Sequence, residues 1–184
     1  MDELIDIVDE NGNATGKSAL KSEIHSKGLF HHTAHLWCYT SKGHILLQQR
    51  AATKSIAPLL WDVSVAGHVD AGETIAKAII REAKEEIGLD LFEHQLIKIG
   101  VFKCFQTYEN GIIDNEFHNT FISKIDVAIK QLILQENEVE AVKYVTISEF
   151  ETLLQKSEIN NHFIASNSNY YHFVLNAIKK QIQQ

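Results

Sequence analysis

The sequence predicts an α/β fold with a mixed β-sheet sandwiched between helices. Strand-like apolar runs and helix-period patterns follow one another in mixed order, which is the signature of a layered sheet-and-helix architecture. The chain has 184 residues, 45% of them hydrophobic and 22% charged, enough to bury one substantial core. No internal repeat, low-complexity stretch or linker divides it, so residues 1–184 are expected to form a single domain.

The first strand is expected at Leu4–Val8, closed by a polar turn at residues 10–13 containing Gly12. Residues 18–28 are polar and end in Lys27 and Gly28, as a loop or short helix does. Apolar runs at 35–40 and 45–49 flank Ser41, Lys42 and Gly43, a hairpin pattern. Residues 63–66 form a short buried strand ending at Gly67. The strongest helix signal covers 74–87, with Thr74 as its cap and Ala76, Ile80, Ala83 and Ile87 as its apolar stripe. Two longer strands are expected at 97–108 and 117–125, around a turn at Asn110 and Gly111. A further strand covers 139–145. Ser148 is expected to cap a helix carrying Phe150, Leu153 and Leu154. The last helix spans 169–182, with Tyr170, Phe173, Val174, Ala177 and Ile178 at helical spacing.

Composition excludes several function classes. Lys and Arg number 17 against 24 Asp and Glu, a net charge of −7, so the chain is a poor general binder of nucleic acid. No apolar run reaches membrane-span length, and no membrane partner is expected. Two cysteines, Cys38 and Cys104, are too few for a disulfide framework and fall in apolar strand contexts, as small core residues do. The acidic N-terminus lacks the basic region of a signal peptide, so the expected location is cytoplasmic. Oligomeric state is left open, a homodimer included.

The informative stretch runs from residue 67 to 89. Glu82, Glu85 and Glu86 stand at i, i+3 and i+4 and share a helix face, where their like charges repel. Acidic faces are common on surfaces, but three carboxylates in register also suit a hard divalent cation, Mg²⁺ or Mn²⁺. Arg81 is placed to bridge Glu85 one turn on or Glu73 upstream.

The full spacing is Gly67, five residues, Glu73, seven residues, Arg81, Glu82, Ala83, one residue, Glu85, Glu86, one residue, Gly88 and Leu89. It resembles the Nudix box, the signature of the Nudix hydrolase family. Ala83 is the one weak member, at an aliphatic position. The resemblance implies a Nudix-type α/β/α sandwich and attack of water on a diphosphate in a small molecule, usually a nucleoside derivative, with Mg²⁺ or Mn²⁺ as cofactor. It assigns Glu82, Glu85 and Glu86 as metal ligands, with Gly67 adding a backbone carbonyl. Glu73 and Arg81 become supporting groups of the catalytic set, and Glu85 a candidate general base.

The flanks, from about residue 20 to 146, resemble the isopentenyl-diphosphate isomerase-like branch. That resemblance implies a second metal set at His25, His32, His68, Asp114 and Glu116, with nitrogen ligands favouring Mn²⁺ or Zn²⁺. Arg50 and Lys54 match basic residues that reach the diphosphate. Trp37 and Trp61 are candidates for stacking on a flat substrate or for core packing. The isomerase's catalytic cysteine falls at Ala66, which cannot exchange a proton, and the box here is complete. Hydrolysis is therefore the expected reaction, ahead of allylic isomerisation or a non-catalytic nucleotide sensor.

Overall fold

The structure, a computed structural model, describes residues 2–183. β1 (Leu4–Val8) and β2 (Ala14–Leu20) form an antiparallel hairpin leading into α1 (Lys21–Lys27). β3 (His31–Tyr39) turns into β4 (His44–Arg50), followed by the short β5 (Trp61–Asp62) and β6 (Val65–His68). α2 (Ile75–Ile87) precedes β7 (Ile97–Thr107), β8 (Ile113–Lys124) and β9 (Val139–Thr146), and the chain closes with α3 (Ile147–Gln155) and α4 (Ser168–Ile182).

β3 is the organising strand. β8 pairs with it in parallel from His31 to Tyr39, and β6 pairs antiparallel with residues 33–36. β7 lies antiparallel outside β8. β4 meets β3 at the hairpin-closing pair Tyr39 and Ile45, then runs between β5 and β9. The strands are thus mixed in direction, as expected.

Alternation along β3 builds two cores. Ala34, Leu36 and Cys38, with Leu46 of β4, pack against Ala78, Ile79, Ala83 and Ile87 of α2. Trp37, Tyr39, Ile45 and Leu47 pack against Phe150 and Leu154 of α3 and Tyr170, Tyr171, Val174 and Ile178 of α4. Helices cover both faces, giving the α/β/α sandwich.

Local chemistry sets the ends of α2. The Thr74 hydroxyl accepts from the Lys77 N–H at 3.3 Å, and Gly88 ends the helix at φ 67° in the left-handed region, its N–H reaching back to Ala83 and Lys84. The expected stripe is rotated: Ala78 and Ile79 are fully buried where Ala76 was placed, because the helix also turns Glu86 inward. β2 was missed because its residues are nearly all exposed and show no alternation. Thr146, not Ser148, caps α3, in a reciprocal box with Glu149. β3 begins at His31 and β8 at Ile113, both four residues earlier than expected, because their first halves carry polar side chains on a buried face.

Residues 56–60 and 161–163 clasp each other beside the sheet. Trp61 N–H donates to Asn161 O, Phe163 N–H to Trp61 O, and Asn161 Nδ2 to Leu59 O at 2.6 Å. Ala57, Leu59, Asn161 and Phe163 all hold positive φ, between 43° and 60°, a strained arrangement for non-glycine residues that costs about 1–3 kcal/mol each.

Candidate active site

One cleft of about 530 Å³ collects most of the residues singled out by sequence. Its walls include the carboxylates of α2, the facing strands β3, β6 and β8, and the strained 56–60 segment with Arg50.

On α2, Arg81 is the hub. Its Nε and Nη2 donate to the two oxygens of Glu73 at 3.2 and 2.9 Å, a bidentate pair, and Nη2 also reaches the His68 carbonyl at 3.0 Å. Nη1 donates to Glu82 at 2.7 Å and to Glu85 at 3.2 Å. Arg81 thereby locks the helix to β6, which carries Gly67 and His68. Gly67 is required by space: a Cβ there would stand 2.1 Å from Glu82 Cδ. Glu86 is 6% exposed and its Oε2 accepts from Gln48 Nε2 and Ala66 N–H, both at 3.3 Å. Burial first, and the neighbouring Glu82 second, push Glu86 up to about 8; burial also raises Glu82. Glu86, buried beside Glu82 and with no ion pair among the described residues, suits a cation.

The raised Glu86 value has a consequence for the metal-free protein. From its ordinary 4.5 to about 8 the unfolded chain ionises this carboxyl while the folded chain keeps it protonated. Folding stability therefore falls as pH rises through that window. The melting temperature of chelator-treated protein is expected to drop between pH 5 and 8 (roughly the window given by linkage), and Glu86→Gln is expected to flatten that slope.

The second constellation lies on β3, β6, β8 and α1. His31 is fully buried, and its Nδ1 donates to the Leu29 carbonyl at 3.0 Å. Its Nε2 faces Glu116 Oε1 at 3.5 Å and has no hydrogen-bond partner among the described residues. His25 Nε2 and His68 Nε2 stand 3.2 Å apart. The ring nitrogens of His25, His31 and His68 all lie within 4.8 Å of one another. An imidazole nitrogen facing a carboxylate oxygen, and two imidazoles nose to nose, fit a cation held between them. Burial holds His68 well below the usual imidazole range, so it is neutral and ready to ligate.

Two members differ from expectation. His32 points to the opposite side of β3, because adjacent strand residues face opposite ways. Its Nε2 meets Gly12 O at 3.2 Å, its Nδ1 meets Asn119 Nδ2 at 3.1 Å, and its ring packs on Phe117. His31 takes the place expected for it. Asp114 reaches His25 instead of joining the mutual set: its Oδ1 lies 2.7 Å from His25 Nδ1, off the hydrogen-bond axis. Aspartate is one methylene shorter than glutamate, and a carboxylate behind a ligating imidazole orients it. Asp114 holds the His25 pKa up, against burial. His31→Ala is expected to weaken Zn²⁺ binding at least about 10-fold while His32→Ala changes it less than about 2-fold, as isothermal titration would read.

Sequence reasoning missed His35, His118 and Cys104, which all line the cleft. His118 Nε2 is 2.7 Å from Glu116 Oε2. Burial lowers His118, but Cys104 and Glu116 beside it outweigh that and leave it at about 10. Burial opposes ionisation of Glu116, yet His118 and His31 hold it well below the carboxylate range. Cys104 sits in register with Glu116 across the β7–β8 pair. The signal was available once β8 was started at Ile113, since Asp114, Glu116 and His118 then share a face.

Of the two expected anion-binding cations, Lys54 is ion-paired with Glu138. Arg50 donates its Nε to Ile56 O at 3.0 Å, which leaves both terminal nitrogens with no hydrogen bond or ion pair among the described residues. Trp37 is core, fully buried with its Nε1 donating to Tyr170 Oη at 2.9 Å. One face of Trp61 is covered by Lys143, 4.0 Å from the ring centre.

An α/β/α sandwich with this loop–helix–loop, and its three glutamates turned toward a cleft, defines the scaffold class of the Nudix hydrolases. A NUDIX domain model matches residues 29–166. The chain is 35% identical to Nudix hydrolase 3 of Arabidopsis thaliana over 162 residues, covering 85% of this chain but 21% of that much longer relative. It is 34% identical to isopentenyl-diphosphate Delta-isomerase 2 of Photorhabdus laumondii, over 85% of each chain. A crystal structure of DR0079 from Deinococcus radiodurans superimposes with a TM-score of 0.66 at 24% identity, over 85% of this chain and 89% of that one. The chain belongs to the Nudix family.

Proposed function

We propose that the protein is a divalent-metal-dependent hydrolase that cleaves the diphosphate linkage of a nucleoside diphosphate derivative or related small organic diphosphate. The observation that carries this reading is that the complete acid helix and the free Arg50 guanidinium border one cleft. Glu82, Glu85 and Glu86, with the Gly67 carbonyl, would hold Mg²⁺ or Mn²⁺, which supplies an activated water and offsets charge on the phosphoryl oxygens. Glu73 and Arg81 position these carboxylates. Glu85 is the most exposed of the three, with 53% of its side chain accessible, and is the one best placed to exchange a proton with water. Arg50 takes the diphosphate, with a lesser share for Lys54 because Glu138 already holds it.

The relatives include an isomerase, and Cys104 lies in the cleft near Glu116, so isomerisation is the second reading. Against it, Ala66 precedes the Gly67–His68 pair and has no proton to exchange. The test is a phosphate-release panel of nucleoside di- and triphosphates, nucleotide sugars, dinucleoside polyphosphates and thiamine diphosphate, with Mg²⁺ or Mn²⁺, beside an isopentenyl diphosphate assay. Metal-dependent cleavage of a panel member with no dimethylallyl product is expected. Conversion of isopentenyl diphosphate without cleavage of any diphosphate would overturn the reading.

A further inference from the structure

We propose that Glu116 is a bridging carboxylate and that His35 and His118 hold a second cation beside the one placed among His25, His31 and His68. Parallel, in-register pairing of β3 and β8 puts His31 opposite Glu116 and Thr33 opposite His118. Strand alternation then brings His31, Thr33 and His35 to the same face as Glu116 and His118.

The two oxygens of Glu116 are divided between two histidines. Oε1 faces His31 Nε2 at 3.5 Å, and Oε2 faces His118 Nε2 at 2.7 Å. The His35 ring stacks on that of His118, centroids 4.0 Å apart. Donor atoms of His35, Glu116 and His118 all lie within 4.8 Å of one another. His35 is anchored from behind: Tyr170 Oη contacts its Nδ1 at 3.0 Å, and Trp37 Nε1 fixes that hydroxyl. An imidazole whose second nitrogen is tied down presents the other in a set direction, the arrangement seen behind ligating histidines. Thr33 adds an independent sign. Its hydroxyl is buried, 4% exposed for the residue, has no partner among the described residues, and belongs to a residue that lines the same cleft.

Two imidazole nitrogens and one oxygen of a shared carboxylate select Mn²⁺ or Zn²⁺ over Mg²⁺. Metal bonds of about 2.0–2.2 Å separate neighbouring ligands by roughly 3.0–3.5 Å, so Oε2 and His118 Nε2 need to part by less than about 1 Å. Two ions sharing one carboxylate at such sites stand about 3.5–4 Å apart, the spacing at which they clamp a phosphoryl group together. The competing occupant of the gap is a proton, which would make His118 a positioning residue for Glu116 and nothing more.

The test counts metal without substrate, so its result is separate from the outcome of the hydrolysis panel. The Glu82→Gln/Glu85→Gln/Glu86→Gln variant, silenced on the acid helix, is stripped and titrated with Mn²⁺ and separately with Zn²⁺. About two ions per chain are expected, with exchange-broadened Mn²⁺ resonance from the bridged pair. Adding His118→Phe or His35→Phe is expected to leave about one ion per chain and an isolated Mn²⁺ spectrum. Wild-type crystals soaked in each metal answer the same question with no substitution: an anomalous peak touching Glu116 Oε2, His118 and His35 is expected. A single ion per chain in the silenced variant, a count unmoved by His118→Phe, or an anomalous map with no such peak for either metal overturns the proposal.

Discussion

Glu86→Gln is expected to lower kcat for the best panel substrate by at least about 10²-fold at saturating Mg²⁺. The amide keeps the size of the side chain and its contacts with Gln48 and Ala66, so the fold should survive and circular dichroism should be unchanged. What it removes is one negative charge from a site where burial and Glu82 already oppose ionisation. Only a cation makes a second buried charge favourable there, and without Glu86 that cation loses both an oxygen and its compensation. Wild-type turnover in this variant would remove Glu86 from the ligand set.

Gly67→Ala is the second large effect. The new methyl would overlap Glu82 Cδ at 2.1 Å and Cγ at 2.5 Å. The intruded atoms belong to a flexible side chain, so Glu82 escapes by changing rotamer and the melting temperature is expected to move by only a few degrees, as about 1 kcal/mol does. The escape breaks the 2.7 Å bond from Arg81 and withdraws Glu82 from the cleft. Activity is expected to fall about 10²-fold or more with little loss of stability, because a displaced ligand misplaces the metal. A matching fall in both, seen by comparing kcat with the thermal midpoint, would make the glycine a folding requirement instead.

The acid helix was legible because its geometry is local. Residues at i, i+3 and i+4 share a helix face whatever the tertiary fold does, so Glu82, Glu85 and Glu86 could be grouped from spacing alone. The same holds for the caps at Thr74 and Gly88. The histidine centre obeys a different rule. On a strand, a shift of one residue moves a side chain to the opposite face, and the resemblance that named His32 did not decide which of two adjacent histidines faces the cleft. The clue was partner chemistry, since His31 and His32 are equivalent by type and only Leu29, Gly12 and Asn119 distinguish them. Cys104 and His118 fell inside expected strands, but their alignment with Asp114 and Glu116 was hidden, because a polar face on an inner strand interrupts the apolar pattern and β8 was started too late. The bidentate Glu73–Arg81 pair was foreseeable, but not the Arg81 bond to the His68 carbonyl, which joins the two constellations.

The parallel pairing of β3 with β8 also bears on how the chain folds. His31 meets Glu116 across 84 intervening residues, and the connection between these strands runs through β4, β5, β6, α2 and β7. Such a contact closes late, since the entropy of a long loop must be met before the pair rewards it. The acid helix, by contrast, can form as a nascent turn-by-turn structure. In refolding from denaturant the two centres should therefore mature at different times, with binding at the histidine cluster reporting completion of the sheet.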